Sequence, residues 1–195
     1  MRGLEHIPWF YDGLCAVLER TGLGPWRRWL AGGARGRTLD VGCGTGRGLA
    51  LYGADVHVIG LEPAWGSLVR ARRRAPGVRL VQGSAEALPF RDRTFDTVVA
   101  SLVFCSVDEP ARGLAEVKRV LRHDGQLRML EHVRSRRAWK AAFQDCVQPL
   151  WTWASGGCRP NRETERAVEA GGFVIEADGR SDMADMRRFS ARVRA

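Results

Sequence analysis

Long apolar runs are missing from this sequence of 195 residues. No segment approaches the roughly 20 uninterrupted apolar residues that a membrane-spanning helix needs. The first residues also lack the basic start and apolar run of a secretion signal. These absences argue against a membrane span and favour a soluble, cytoplasmic protein. The hydrophobic content of 45% is ample for one buried core, so we expect a single domain over residues 1–195.

Closely spaced metal-ligand residues are missing as well. The cysteines form no C-x-x-C pair and no tight sequence cluster with histidine. They are Cys15, Cys43, Cys105, Cys146 and Cys158. We therefore predict reduced thiols, no metal site and no disulfide framework. Cys43 lies within a glycine-rich turn, where a small side chain that fills the turn is the simplest interpretation.

Lysine is scarce: only Lys118 and Lys140 occur, and arginine supplies nearly all the positive charge. The net charge is +9 and the sequence pI is about 10.3. Such basicity can attract nucleic acid, anionic lipid or an acidic substrate. The arginines are scattered along the chain, however, and consecutive ones at 72–74 would spread around a helix. A biased composition therefore explains the charge as well as a binding surface does.

Short β-branched segments alternate with longer helical patterns, which indicates a parallel sheet wrapped by helices. We predict strands at 37–41, 56–61, 78–82, 95–101, 126–131, 173–177 and 187–193, and helices at 7–20, 65–74, 108–121, 138–154 and 164–170. The predicted fold is α/β and Rossmann-like. It has a seven-stranded, mostly parallel sheet, helices on both faces and an N-terminal helical cap.

A glycine-rich turn, Asp40-Val41-Gly42-Cys43-Gly44-Thr45-Gly46, follows the first predicted strand. Glycines let backbone N–H groups and a helix N-terminus come close to a ligand. A dinucleotide-binding turn would read G-x-G-x-x-G, whereas these glycines alternate with single residues. The carboxylate of Asp40 suits a cationic ligand better than a pyrophosphate. Glu62, at the end of the second strand, is placed to accept hydrogen bonds from ribose hydroxyls.

Five ordered segments resemble the motifs of class I S-adenosylmethionine-dependent methyltransferases of the ubiquinone-biosynthesis type. They are residues 39–46, 60–63, 83–90, 94–98 and 116–121. The resemblance covers nearly the whole chain and implies S-adenosyl-L-methionine as the methyl donor. It divides the chain into a helical cap at 1–34, a cofactor-binding core at 35–133, and acceptor-side helices with the last strands at 134–195.

The same resemblance assigns roles to residues around the donor. Asp40 and the glycine loop would hold the methionine part and Glu62 the ribose, while Ser84 and Ala85 would edge the adenine. Relatives commonly carry an acid where this chain has Ser84, so the adenine contact can pass to the Ala85 N–H or to Glu86. The donor-binding residues are expected to be Tyr11, Asp40, Gly42, Cys43, Gly44, Gly46, Glu62, Pro63, Ser84, Ala85 and Leu102. Tyr11 would contribute an aromatic face beside the sulfonium.

Downstream segments are similar to a branch that includes mammalian alkyl-thiol methyltransferases. They are 130–133, 144–145, 149–151, 157–158 and 161–164. This similarity implies a small, hydrophobic acceptor, such as a thiol, a quinol or phenol, or a phospholipid amine. His132 follows the fifth strand, where it is a candidate general base. Orienting the neighbouring helices is the alternative role for this histidine.

The helix predicted at 138–154 carries an apolar face. Its members are Trp139, Phe143, Val147, Leu150 and Trp151. Such a face usually belongs to the core, but it can also line an acceptor site or make a shallow membrane contact with Trp26, Trp29 and Trp153. We take Trp151, Asn161 and Arg162 as candidate acceptor-binding residues.

Other functions stay open at this point. The charge motivates a nucleic-acid methyltransferase, which is disfavoured because residues 100–105 carry no N/D-P-P-Y/F-like segment after the fourth strand. A non-catalytic protein that binds S-adenosylmethionine is a second alternative. A nicotinamide oxidoreductase is a third, and the spacing of the glycines argues against it.

Overall fold

The computed structural model describes residues 23–155 and 157–194 of the chain. The helices are α1 (Gly24–Gly32), α2 (Trp65–Arg74), α3 (Pro110–Val120), α4 (Ala138–Ala154) and α5 (Thr164–Ala170), with a short 3-10 turn at Leu49–Leu51. The strands are β1 (Arg37–Val41), β2 (His57–Glu62), β3 (Arg79–Gln82), β4 (Phe95–Ser101), β5 (Leu121–His132), β6 (Phe173–Ile175), β7 (Ser181–Met183) and β8 (Met186–Val193). The predicted helix at 7–20 lies outside the described residues.

The sheet runs in the order β3-β2-β1-β4-β5-β8-β6. The first five strands are mutually parallel, and β8 is antiparallel to both β5 and β6. The predicted mostly parallel sheet is confirmed, and its seven strands form this path. The three-residue strand β7 pairs with β8 as an eighth strand, which the sequence analysis did not predict.

Alternate residues of the central strands pack against different helices, which is why the sheet is apolar on both faces. Val98 and Ala100 belong to the main core with Leu114 of α3 and Val168 of α5. Val99, between them, packs against Leu23, the residue before α1, and against Trp26 and Leu30 of α1. Helices therefore cover both faces of the sheet.

The face of α3 that packs on the sheet contains the buried residues Gly113, Leu114, Val117 and Val120. The strand predicted at 126–131 is longer than expected, since β5 runs from Leu121 to His132. A register shift between Phe95 and Thr97 accommodates this early start.

The helix α1 was not predicted as a separate element. Trp26 is buried under the sheet, and Trp29 lies under the guanidinium of Arg128, 3.9 Å from the ring centroid. The interpretation of these two tryptophans as membrane contacts is therefore wrong for Trp26, whose ring belongs to the core, and is not favoured for Trp29. Arg128 also donates to the carbonyl oxygens of Leu30 and Trp29 at 3.0 and 2.6 Å, so it caps the C-terminal end of α1.

The apolar face predicted for α4 does not belong to the core. The buried residues of α4 are Ala141 and Gln144, whereas four of its large apolar side chains face outward. The exposed fractions are 68% for Trp139, 61% for Phe143, 69% for Leu150 and 57% for Trp153. The sequence could not separate the two possibilities, because an apolar helix face has the same period whether it packs in the core or is exposed to solvent. None of the helices in the described part of the chain is long and apolar enough to cross a bilayer.

Candidate active site

The glycine loop leaves β1 at the carboxyl edge of the sheet, where parallel strands usually place their binding crevice. Gly42, Gly44 and Gly46 have φ angles of +64°, +54° and +81°, which side chains rarely adopt. Two of them also lie against neighbours. A Cβ at Gly42 would lie 2.6 Å from Val103 Cγ2, and one at Gly46 would lie 2.9 Å from the Cα of Ala71. The loop therefore needs glycine for both its conformation and its packing.

Asp40 is the last residue but one of β1, just before this loop, and is almost completely buried. The hydroxyl of Tyr52 donates to its Oδ2 at 3.0 Å. Burial raises the pKa of Asp40 to about 7, although the hydrogen bond from Tyr52 and the charge of Arg27 act in the opposite direction. A carboxylate in such a site is poorly solvated, so it would gain strongly from a cationic ligand.

Glu62 ends β2 and reaches the glycine loop. Its Oε2 accepts from the Gly44 N–H at 3.1 Å, and its Oε1 accepts from the Ala64 N–H at 3.0 Å. Burial raises the pKa of Glu62. Each carboxylate oxygen has two acceptor sites, so Glu62 keeps capacity for further donors such as hydroxyl groups. The neighbouring Pro63 accepts from the Gln82 side-chain amide through its carbonyl oxygen, at 3.0 Å.

Cys43 packs beside β2. Its sulfur lies so close to Gly60 that a Cβ at Gly60 would be only 2.9 Å from it. Burial and the nearby acids raise the pKa of the Cys43 thiol, which disfavours the reactive thiolate. These contacts support the interpretation of Cys43 as a side chain that fills the turn.

The segment after β3 contains Ser84, Ala85 and Glu86. Ala85 is buried in the main core. The Ser84 hydroxyl donates to Glu86 Oε2 at 2.8 Å, and the backbone N–H of Glu109 donates to Glu86 Oε1 at 2.8 Å. The Glu86 carboxylate is thus occupied at the start of α3, which makes it a less available partner for an adenine than its sequence position indicated.

The turn after β4 faces the glycine loop. Leu102 has a φ of +59°, an unusual conformation for a leucine, and its N–H donates to the carbonyl of Leu130 at 2.7 Å. Ser101, just before it, lines the same cavity as Asp40 and Tyr52. Its buried hydroxyl has no hydrogen-bond partner among the described residues. Strained backbone and an unsatisfied buried hydroxyl are features of binding sites.

Glu131 stabilises this turn by hydrogen bonds to its backbone. It was not predicted as a functional residue from the sequence. Its fully buried carboxylate accepts from the N–H groups of Val103 and Phe104, both at 2.9 Å, and from that of Cys105 at 3.1 Å. Burial raises the pKa of Glu131 to about 7 against these three hydrogen bonds. An acid at the end of the buried strand β5 was the signal that could have identified it.

The predicted acceptor residues make structural contacts on the same edge. Arg162 donates to the carbonyl oxygens of Phe104 and Val107, so it fastens the turn after β4 from the other side. Asn161 donates to Asp145 Oδ1 at 2.9 Å. Trp151 is 45% exposed, and its proximity helps lower the pKa of the Cys158 thiol. Tyr11, the remaining predicted residue, lies outside the described part of the chain.

His132 ends β5 beside two cysteines. Its Nδ1 lies 3.6 Å from the sulfur of Cys158, and Cys105 also contacts Cys158. Hydrogen bonding by Cys105, and then by His132, lowers the pKa of the Cys158 thiol to about 5. Burial lowers the pKa of His132, but its contact with Cys158 outweighs burial and the net shift is upward. Sequence separation concealed this cluster, because its members come from three different parts of the chain.

Comparison with known proteins is consistent with this geometry. Residues 39–129 match a family model described as a methyltransferase domain. The chain is 32% identical over 151 residues to the human thiol S-methyltransferase TMT1B, covering 72% of this chain and 62% of that protein. It is 37% identical over 126 residues to the demethylmenaquinone methyltransferase of Renibacterium salmoninarum, covering 62% of this chain and 53% of that protein. The chain therefore spans between about half and two thirds of the length of these relatives.

A solved S-adenosylmethionine-dependent methyltransferase from Mesorhizobium loti has the same fold. It superposes with a TM-score of 0.66 at 19% identity, covering 86% of this chain and 96% of that one. The glycine loop with its flanking acids lies within the matched domain. Residues 39–129 thus match a methyltransferase domain in sequence, and the chain shares the fold of the solved S-adenosylmethionine-dependent methyltransferase.

Proposed function

We propose that the protein transfers a methyl group from S-adenosylmethionine to a small, rather apolar acceptor. The observation that carries this proposal is the arrangement of Asp40 and Glu62 on either side of the glycine loop. Bound S-adenosylmethionine would supply a methyl group activated by its sulfonium. The fit is supported by the unsatisfied Ser101 hydroxyl and by the space that the side-chain-free Gly44 leaves open.

The donor-binding roles follow from the chemistry of each group. Asp40 provides a buried carboxylate for the positively charged methionine end, while Glu62 has acceptor capacity for the ribose hydroxyls. Cys43, Pro63 and Leu102 shape the walls around these acids. Ser84 and the backbone of Ala85 are proposed to edge the adenine, and Tyr11 to cover the donor. We assign residues 35–133 to this half and 134–195 to the acceptor half of a single domain.

On the acceptor side, we propose that the chain acts mainly by positioning the acceptor for direct in-line displacement. The turn after β4 is fixed between Glu131 and Arg162, so it is a rigid wall close to the donor loop. Trp151, Asn161 and Arg162 would border the acceptor. The Nδ1 of His132 faces Cys158, which leaves only Nε2 for the predicted base role.

Methyl transfer is tested with labelled donor and parallel thiol, phenol, quinol and phospholipid-amine acceptors. We expect label in at least one of these acceptors, and we expect Glu62→Gln to reduce transfer by weakening donor binding. Donor binding without transfer to any acceptor would favour a non-catalytic binding protein. Methylation of nucleic acid, with retention on it at about 0.15 M salt, would favour that alternative acceptor instead.

We also propose that the exposed face of α4 contacts membrane surfaces from which an apolar acceptor can be taken. Trp139, Phe143, Leu150 and Trp153 all face outward on this helix. Arg137 precedes it and adds positive charge near an anionic surface, whereas Arg134 and Arg136 are paired with Asp145 and Asp182. Attachment would be peripheral and on the cytoplasmic side, where thiols such as those of Cys105 and Cys158 remain reduced.

Sedimentation with anionic and neutral phospholipid vesicles tests the membrane contact. The double variant Trp139→Ser, Phe143→Ser should reduce binding to anionic vesicles by about tenfold or more, because two large apolar side chains are lost from the contact. Trp65→Ser is the matched control, since Trp65 is 67% exposed but lies on α2. Equal binding by the double variant and the control would refute the contact.

A further inference from the structure

Cys105, His132 and Cys158 form a compact cluster that the proposed methyl transfer does not use. One ligand atom from each, the two sulfurs and a ring nitrogen, lies within 4.8 Å of both others. Within residues 23–155 and 157–194, this is the one group of three or more histidine, cysteine or acidic side chains close enough to share an ion. Both cysteines are buried, and His132 is partly buried.

The spacing of these atoms suits a tetrahedral metal ion. Zinc binds thiolate sulfur at about 2.3 Å and imidazole nitrogen at about 2.0 Å, which places tetrahedral ligand atoms about 3.5 to 3.8 Å apart. The sulfur of Cys158 lies 3.6 Å from Nδ1 of His132. This separation already matches a tetrahedral site, and the other two are within 4.8 Å.

Three separate elements are fixed around the cluster by hydrogen bonds. Glu131 holds the backbone of Cys105, and the N–H of Arg159 donates to the Cys105 carbonyl at 2.8 Å. Thr152 donates to the carbonyl of Cys158 at 3.0 Å. Such outer contacts orient metal ligands and stabilise thiolate sulfur. The cluster is thus preorganised by its surroundings.

We propose that Cys105, His132 and Cys158 bind one thiophilic divalent cation, such as zinc, and leave its fourth coordination position open. Two thiolates and one imidazole form a set typical of zinc, and three protein ligands with one open position are typical of catalytic sites. The assignment departs from our sequence expectation of no metal. Binding through Nδ1 also excludes that nitrogen of His132 as a general base.

The fourth position would face the acceptor side. Val103 packs against Gly42 of the donor loop, and Cys105 follows two residues later in the same turn. We assign the open position to a thiol acceptor, a step that rests on the proposed function. The thiol would bind as a thiolate and release its proton to water. Its sulfur would then form the new S–C bond as the bond from the methyl carbon to the donor sulfonium breaks, yielding a thioether and a neutral donor product.

Cobalt substitution tests the metal site without requiring activity. Protein kept reduced and freed of metal by a chelator is titrated with Co²⁺, and thiolate-to-cobalt absorption is measured; Zn²⁺ is then added in competition. We expect one ion per chain, with affinity reduced by about 100-fold or more in Cys105→Ser, Cys158→Ser and His132→Ala. Cys146→Ser, which changes an exposed cysteine of α4, should bind like the parent. Absence of thiolate absorption, or equal affinity in all four variants, would overturn the proposal.

Alkylation of the unmodified chain keeps the test decisive if a variant does not fold. Mass spectrometry should show that Zn²⁺ slows the modification of Cys105 and Cys158 relative to the metal-free protein, while Cys146 is modified equally in both; equal rates at Cys105 and Cys158 would overturn the site. Protection of a different pair would contradict the site. A small thiol added to the cobalt form without donor should increase the thiolate absorption, whereas a phenol should not. Failure of that step removes the thiol assignment alone, and failure of donor binding would count against methyl transfer while leaving the metal site standing.

Discussion

Replacing Asp40 by asparagine should stabilise the donor-free protein at alkaline pH and weaken donor binding. In the folded chain, burial raises the pKa of Asp40 from 3.8 to about 7. At about 1.4 kcal/mol for each pH unit, this difference corresponds to about 4 kcal/mol. Asparagine retains an oxygen that can accept from Tyr52, so the substitution removes the charge and keeps the hydrogen bond.

The sign of the effect follows from which state holds the proton. Below about pH 4 the carboxyl is neutral in the folded and unfolded chain, and Asp40→Asn should have little effect on stability. Between about pH 4 and pH 7 the unfolded parent releases this proton first, so the parent loses stability as the pH rises. The Asp40→Asn variant should therefore gain relative stability across that range, reaching about 4 kcal/mol above pH 8.

Donor binding should change in the opposite direction. A cationic donor prefers the ionised carboxylate, so affinity of the parent should rise by about tenfold between pH 6 and pH 8. Asp40→Asn should bind more weakly and lose this dependence. Urea unfolding at several pH values gives the free energy of unfolding, and titration calorimetry gives the affinity. A variant no more stable than the parent at pH 8, or parent affinity independent of pH, would refute the reasoning.

Three further substitutions test the surrounding structure. Gly46→Ala places a Cβ 2.9 Å from the Cα of Ala71, at a residue whose φ is +81°. The free energy of unfolding in urea should therefore fall by about 1 to 3 kcal/mol, and an unchanged midpoint would contradict the packing described. Glu131→Gln turns one acceptor into a donor facing the buried Cys105 N–H. Unfolding in urea at about pH 5, below the raised pKa of Glu131, should show a loss of about 1 to 3 kcal/mol, whereas a loss below about 0.5 kcal/mol would mean that other contacts hold the turn. Glu62→Gln should raise the KM for the donor by about tenfold or more with a smaller change in kcat, since it removes a charged acceptor proposed for the ribose; an unchanged KM would exclude that role.

Much of the fold could be predicted because the strands are buried on both faces. The run Thr97-Val98-Val99-Ala100 is apolar at three of its four positions, and Gly42 and Pro63 mark where β1 and β2 end. The short strand β7 could not be predicted in this way. It has three residues, no apolar pattern of its own, and pairs with a strand that follows it by only two residues. Its formation depends on β8 and not on local preference.

Some residues of the site could be identified from local sequence, and others only from the fold. Asp40, Glu62 and the glycines lie in segments whose spacing is set by one strand and its turn, so local sequence identifies them. The cysteine and histidine cluster joins positions 26 or more residues apart, and only the packing of the turn after β4 against the segment after α4 brings them together. Arg162 shows the same limit, since its backbone acceptors lie more than 50 residues away.

The position of β8 within the sheet has a consequence for the order of folding. β6 is synthesised before β8, yet β8 lies between β5 and β6. A nascent chain that has made β6 must therefore keep a gap beside β5 until β8 arrives. During that interval the edge of β5 exposes backbone donors and acceptors to other chains, a condition that favours aggregation. The yield of folded protein should accordingly depend on how fast the segment between β6 and β8 is translated, and on chaperones that shield the edge of β5.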